Sequence, residues 1–192
     1  MRPTLVIFVK EPRAGRVKTR LGRDIGMTSA AWWFRHQVSR LLRQVGDDPR
    51  WRTVLAVSPD TAVLSRAWPA HLPRWPQGRG DLGDRMGRAF RQMPPGPVII
   101  VGADIPGITR GRIADSFAAL RSNDAVLGPA PDGGYWLIGL RRGGCPIPRK
   151  LFDGVRWSTE HAMADTVATM AGLKIARTIT LADVDTRADL DT

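Results

Sequence analysis

Eleven residues behind the first apolar segment, Lys10-Glu11-Pro12-Arg13-Ala14-Gly15-Arg16-Val17-Lys18-Thr19-Arg20, carry five basic side chains around a single glycine. Cations at this density, next to a residue that lets backbone approach a ligand closely, suit a phosphate cradle. Lys18 offers a movable point charge and Arg20 a two-pronged donor, so the pair follows negative charge as it shifts during a reaction. Lys10 and Gly15 belong to the same cradle. The segment is not a Walker loop, which needs Gly directly before the Lys where this chain has Val17. A solvated basic loop has the same composition, and the position after a first strand is what favours a ligand.

The acidic candidates lie later in the chain. Asp104, in Gly102-Ala103-Asp104-Ile105-Pro106, stands at the tip of an apolar run and before a rigid Pro. A carboxylate fixed there suits Mg²⁺ or Mn²⁺, which prefer oxygen ligands and bridge one or two carboxylates to substrate phosphates. Its other reading is a cap on the next turn. Asp132, in Pro131-Asp132-Gly133-Gly134, fits a structural Asp-Gly turn or an acceptor-binding and general-base role. In Ala182-Asp183-Val184-Asp185-Thr186 an extended chain puts both carboxylates on one side. They either complete a metal shell or, in the case of Asp185, cap a final helix holding Asp189.

Gly78-Arg79-Gly80-Asp81-Leu82-Gly83 matches a dinucleotide fingerprint literally. That motif must leave a strand, and the preceding residues 69–77 hold three prolines. Gly80, Asp81 and Gly83 are therefore expected in a loop touching a nucleobase or sugar, or at a helix start capped by Asp81. His36, His71 and His161 share no metal-ligand spacing, and Cys145 has no base placed by the sequence. Trp157-Ser158-Thr159-Glu160 reads as a loop aromatic with a helix cap, or as part of an acceptor pocket.

The elements that must position these groups alternate in kind. Apolar runs predict strands over 4–9, 53–57, 97–101, 125–127, 135–140 and 174–179. Helical spacing and caps predict helices over 29–45 (behind Thr28), 60–68, 82–93, 109–121 and 158–171. Trp32 is expected in the core and Trp33 on the surface. The pattern is that of one α/β domain over 1–192, a mostly parallel sheet with helices on both faces. Ligands in such sheets bind beyond the carboxyl ends of the strands, where the candidate loops lie.

Composition narrows the function classes. The net charge of +11 is consistent with nucleic acid, yet only four of the 29 basic residues are lysine and the arginines are scattered from Arg2 to Arg187. An anionic small substrate needs only a local cluster, so a nucleic-acid-binding module is the remote alternative. No apolar run approaches the roughly 18 residues of a membrane span, and one cysteine gives no disulfide framework. A cytoplasmic location is expected.

Taken in order, Pro12-x-x-Gly15-x-Val17-Lys18-Thr19-Arg20-Leu21, Gly80-Asp81-Leu82-Gly83-x-Arg85-Met86, Gly102-x-Asp104-x-Pro106, Gly128-Pro129-x-x-Asp132-Gly133-Gly134-Tyr135 and Asp183-Val184-Asp185-Thr186 resemble one known group. It is the bacterial family of GT-A-type transferases described as radical-SAM/selenodomain-associated transferases or arsenosugar biosynthesis glycosyltransferases. The resemblance implies a nucleotide-diphospho-sugar transferase fold and a metal-dependent enzyme. The donor would be a nucleotide-sugar, and the acceptor a small molecule. It also implies nucleotide phosphates on Gly15–Arg20, a divalent metal on Asp104, and Asp185 as second ligand. Related enzymes of this fold transfer a nucleotidyl group from an NTP and release pyrophosphate, which is the alternative activity. Sugar transferases of the fold usually carry Asp-x-Asp at the strand end, where this chain has Gly102 first.

Overall fold

The computed structural model describes residues 1–144 and 146–191; Cys145 and the terminal Thr192 lie outside them. The apolar runs form seven strands: β1 (Thr4–Lys10), β2 (Arg52–Ser58), β3 (Arg74–Pro76), β4 (Val98–Gly102), β5 (Ala125–Pro129), β6 (Tyr135–Leu140) and β7 (Ile175–Arg177). They make one sheet in the order β3-β2-β1-β4-β6-β5-β7. All run in one direction except β6, which pairs antiparallel with both β4 and β5. The helices are α1 (Thr19–Ile25), α2 (Met27–Val45), α3 (Leu82–Gln92), α4 (Arg110–Ala119) and α5 (Ala162–Ala168). Among the described residues no helix is long and apolar enough to cross a membrane.

Period-two alternation sorts the strand residues onto two faces. Leu5, Ile7, Val9, Leu55, Val57, Ile99 and Val101 pack with Phe34, Val38, Leu41 and Val45 of α2 and Ile113 of α4. Val6, Ala56, Val98, Ile100, Leu127 and Ile138 pack on the other side with Met86, Ala89 and Phe90 of α3, and with Met163 and Val167 of α5. Both faces of the sheet are covered, which is why its central strands read as unbroken apolar runs.

Several expectations shift in detail. The helix expected over 29–45 is α2, which begins at Met27, so Thr28 lies inside its first turn and does not cap it. Its buried stripe of Ala30, Ala31, Phe34 and Val38 turns Trp33 onto the core and leaves Trp32 64% exposed against His36, the reverse of the expected assignment. Residues 60–64 form a short 3-10 turn, and the Asp60 carboxylate accepts from Gly78 N at 2.9 Å. The proline-rich stretch ends in β3, a three-residue edge strand, which tolerates Pro because one side needs no ladder bond. Ser158 is not the cap of α5, which starts at Ala162 behind His161. Helix α1 was not expected. Its seven residues carry only Leu21 and Ile25 as large apolar side chains, too few for helical spacing to show.

Gly139 sits in the middle of β6, and a Cβ there would lie 2.7 Å from Val126 Cγ1 and 2.8 Å from Ile99 Cγ1 on the flanking strands. Overfilling a close-packed site of this kind costs about 1–3 kcal/mol. Gly139→Ala is therefore expected to lower the midpoint of thermal unfolding by several degrees, measured by circular dichroism; an unchanged midpoint would contradict this packing.

Candidate active site at the carboxyl edge of the sheet

Parallel pairing of β1 with β4 places Phe8 beside Gly102, so the loops that follow both strands leave the sheet side by side. Lys18 and Asp104 ride on those loops. The chain after β7 stays on the same edge: Thr178 N donates to Leu127 O, Leu181 N to Pro129 O, and Trp136 Nε1 to Ile179 O. This track carries Asp183 and Asp185 to the same place. Val184 between them is buried against Leu21 of α1 and Ala30 of α2. Because alternate residues of an extended chain face opposite ways, burying Val184 turns both carboxylates toward Lys18.

The Lys18 ammonium ends among three carboxylates, 2.6 Å from Asp104 Oδ2, 3.0 Å from Asp183 Oδ2 and 2.9 Å from Asp185 Oδ1. Its side chain is only 6% exposed. Arg20 Nη1 donates to the other oxygen of Asp185 at 2.9 Å. Asp189 fixes the local turn by accepting from Asp185 N, Thr186 N and Thr186 Oγ1. So Asp185 does not cap the last turn; Asp189 does, and the Asp185 carboxylate is left for the cations.

Burial alone would push the Lys18 ammonium down, but Asp104, then Asp183 and Asp185, outweigh it and hold its pKa above the ordinary lysine value. Burial raises the Asp183 carboxyl above its ordinary range against the pull of Lys18, with Asp185 and Asp104 adding to the rise. At Asp185 burial acts the same way, yet Lys18 and Arg20 prevail and draw its pKa down. The two neighbours are thus unlike: Asp185 is the better-compensated anion.

This cluster forms the floor of a cavity of about 660 Å³. Lys10, Arg16, Lys18, Arg20 and Arg85 supply its basic side, and Phe8, Phe34 and Leu82 its apolar part. Asp132, Ser158, Thr159 and Glu160 stand on its wall as well. Asp132 Oδ1 accepts from Gly134 N at 2.9 Å, which fixes the turn. The turn is docked on the 158–160 loop: Met163 N donates to Gly133 O, and a Cβ at Gly133, whose φ is +81°, would fall 2.1 Å from Glu160 O. Only glycine fits there. Two of the four non-glycine residues with left-handed backbone among the described residues, Lys18 (φ 44°) and Ser158 (φ 61°), line this cavity. Such strain gathers where surrounding structure enforces a functional geometry.

Other candidates have structural work. Asp81 is the cap of α3: its carboxylate accepts from Asp84 N at 2.8 Å, and Asp84 answers by accepting from Asp81 N. Gly80 leaves room for Asp84, and Gly83 for Phe152 and Trp157. None of these three lines the cavity, nor does Gly15, which sits in open space with φ +71°. The cavity takes Leu82 and Arg85 from that segment instead. Gln77, unremarked in the sequence, is buried and donates to Val9 O and Ala56 O, tying the loop to the strand ends. Polar groups within a loop of prolines gave no signal for it. Arg16 and Arg85 were visible only as members of basic or ordered motifs.

The fold is that of the nucleotide-diphospho-sugar transferases, a mostly parallel seven-stranded sheet with helices on both faces. The chain belongs to the bacterial family described as "Uncharacterized protein conserved in bacteria (DUF2064)", whose profile matches residues 41–159. A structure from Desulfovibrio desulfuricans G20, provisionally described as a nucleotide-diphospho-sugar transferase, superposes with a TM-score of 0.89 at 33% identity, over 99% of this chain and 85% of that one. More distant likenesses show the fold alone. CMP:2-keto-3-deoxy-manno-octonic acid synthetase complexed with CTP gives 0.60 at 14% identity, covering 100% and 96% of the two chains. Rv0371C of Mycobacterium tuberculosis H37Rv in complex with manganese gives 0.56 at 16%, again over 100% and 96%. No curated protein sequence matches the chain.

Removing the central cation should expose the carboxylates' mutual repulsion. Asp185, with its depressed pKa, stabilises the fold above about pH 4 and loses that contribution as pH falls through its folded value. Lys18→Met is expected to cost about 2 kcal/mol at pH 7 in denaturant unfolding, a deficit that shrinks toward pH 3 as the carboxylates protonate. A deficit independent of pH would contradict the electrostatic origin.

Proposed function

We propose that the chain is a metal-assisted transferase that takes a nucleotide-diphospho-sugar as donor and glycosylates a small acceptor. The observation that carries this reading is the meeting of Lys18, Arg20, Asp104, Asp183 and Asp185 in one cavity at the ligand edge of the sheet. The description of the relative from Desulfovibrio desulfuricans supports it, as does the resemblance of the ordered motifs to the radical-SAM/selenodomain-associated and arsenosugar glycosyltransferases. Both substrates are small molecules, so the basic side serves donor phosphates and not nucleic acid.

The donor set suits a hard divalent cation. Asp104, Asp183 and Asp185 offer oxygen ligands only, and such ions complete their shell with substrate phosphate. Among the described residues no three acidic, His or Cys side chains form a ready-made cage for an ion. Asp104 and Asp185 would hold Mg²⁺ or Mn²⁺ together with the donor, and the ion would supply charge compensation for the departing diphosphate. The manganese complex of Rv0371C supports this choice of ion.

Lys18, Arg20, Arg16 and Lys10 grip the phosphates, and their charge counts most where negative charge grows on the leaving oxygen. In sugar transfer the anomeric carbon–phosphate oxygen bond breaks and a bond to the acceptor oxygen forms. Asp132, oriented by Gly134 N, receives the acceptor hydroxyl's proton. The nucleoside diphosphate leaves.

One observation favours a second reading, nucleotidyl transfer from an NTP with release of pyrophosphate. Sugar transferases of this fold use two carboxylates at the strand end, and here a Cβ at Gly102 would stand 2.8 Å from Ile105 Cδ1 and 3.2 Å from Asp104 Oδ1. The site is built around one carboxylate at that point.

Purified protein incubated with Mn²⁺, acceptor pools and either nucleotide-sugars or NTPs should release a nucleoside diphosphate from the former. Pyrophosphate from the latter would select the second reading. Asp104→Ala is expected to weaken metal-dependent nucleotide binding by about 100-fold; binding left intact would overturn the site.

A further inference from the structure

Each of the three carboxylates spends an oxygen on the Lys18 ammonium: Asp104 Oδ2, Asp183 Oδ2 and Asp185 Oδ1, all within 3.0 Å. The remaining oxygen of Asp185 is taken by Arg20. A divalent ion held by Asp104 and Asp185 would therefore face a buried unit charge already seated on both carboxylates. At a few ångströms and the effective dielectric of a protein site, charges of like sign repel strongly. The ammonium and the metal ion cannot both keep these ligands.

Lys18 has somewhere else to go. Its side chain lies on the wall of the cavity beside Arg16, Arg20 and Lys10, the groups suited to phosphate. Four rotatable bonds let its head move without moving the backbone, which α1 and the left-handed turn at Lys18 hold in place.

From this geometry, and resting on the metal-assisted reading above, we infer that Lys18 is an internal competitor for the metal ligands, displaced by the phosphates of the donor. The ammonium keeps the carboxylates compensated until an oligophosphate enters. It then transfers its charge to the phosphate and frees the oxygens. Metal and donor consequently enter as one unit. By linkage each raises the affinity for the other, and the metal alone binds weakly. Lys18 is thus a positioning residue for the ion as well as a phosphate ligand.

The test uses Mn²⁺ alone and reads the signal of the free ion by electron paramagnetic resonance, independent of turnover. Lys18→Met is expected to bind Mn²⁺ at least tenfold more tightly than the unmodified protein, at about pH 7. Lys18→Arg, which keeps the charge, should stay as weak as the original. Lys18→Gln, neutral but hydrogen-bonding, is measured alongside to guard against misfolding of the Met variant, and should also tighten. Adding Asp104→Asn to Lys18→Met should cancel the gain. Equal affinities in the original and both neutral variants overturn the competition while leaving the metal-assisted reading to the Asp104→Ala nucleotide measurement. A gain that survives Asp104→Asn puts the ion elsewhere and overturns it too.

Discussion

A buried ammonium among three carboxylates needs every partner in place, because burying an uncompensated charge costs far more than an exposed ion pair returns. Lys18 meets that requirement with one residue from the loop after β4 and two from the chain's tail. The interaction links sequence positions 86 and 165 residues apart, and so ties the first and last segments of the chain to the middle of the sheet. Remove the ammonium and three acids face each other across a cavity floor, with Arg20 paired to Asp185.

The rest of the fold reads as support for that meeting. Parallel pairing of β1 and β4 brings two loops out together, and hydrogen bonds from Thr178 and Leu181 to the end of β5 steer the tail back across the edge. Val184 locks the direction of its two acidic neighbours by occupying the small core formed by α1 and α2. On the opposite wall the Gly133 turn and the 158–160 loop press together too closely for any side chain at 133. Floor and walls alike are loops, held at fixed separations by the strand ends they leave and by backbone contacts between them.

Much of this was legible in residue types and order. The strands β1, β2 and β4 announce themselves because both faces of the sheet are covered, leaving uninterrupted apolar runs. That Lys18, Arg20 and Asp104 come out at one edge was accessible because the loops after parallel neighbouring strands leave the sheet together. What escaped depends on tertiary partners. Helix α1 is held by Leu21 under Val184 and has almost no apolar pattern of its own. Ser158 looks like a cap, yet it sits in a left-handed turn ahead of the segment that packs on Gly133, and α5 starts only at Ala162. Trp32 and Trp33 exchange places because the buried stripe runs through Ala30, Phe34, Val38 and Leu41, a phase that Trp32 does not share. Asp81 matched a nucleotide-binding fingerprint and spends its carboxylate on Asp84. Gln77 carries no pattern at all; only the convergence of β1 and β2 gives its amide something to hold.

The account stands on a cation and a diphosphate meeting over these acids. Crystals grown with Mn²⁺ and pyrophosphate, with the metal located from its anomalous scattering, test it most directly. The account predicts manganese bonded to the carboxylates of Asp104 and Asp185, with the Lys18 ammonium moved onto a phosphate oxygen. Manganese bound away from Asp104, or Lys18 still seated among the three carboxylates beside a bound ion, would contradict it.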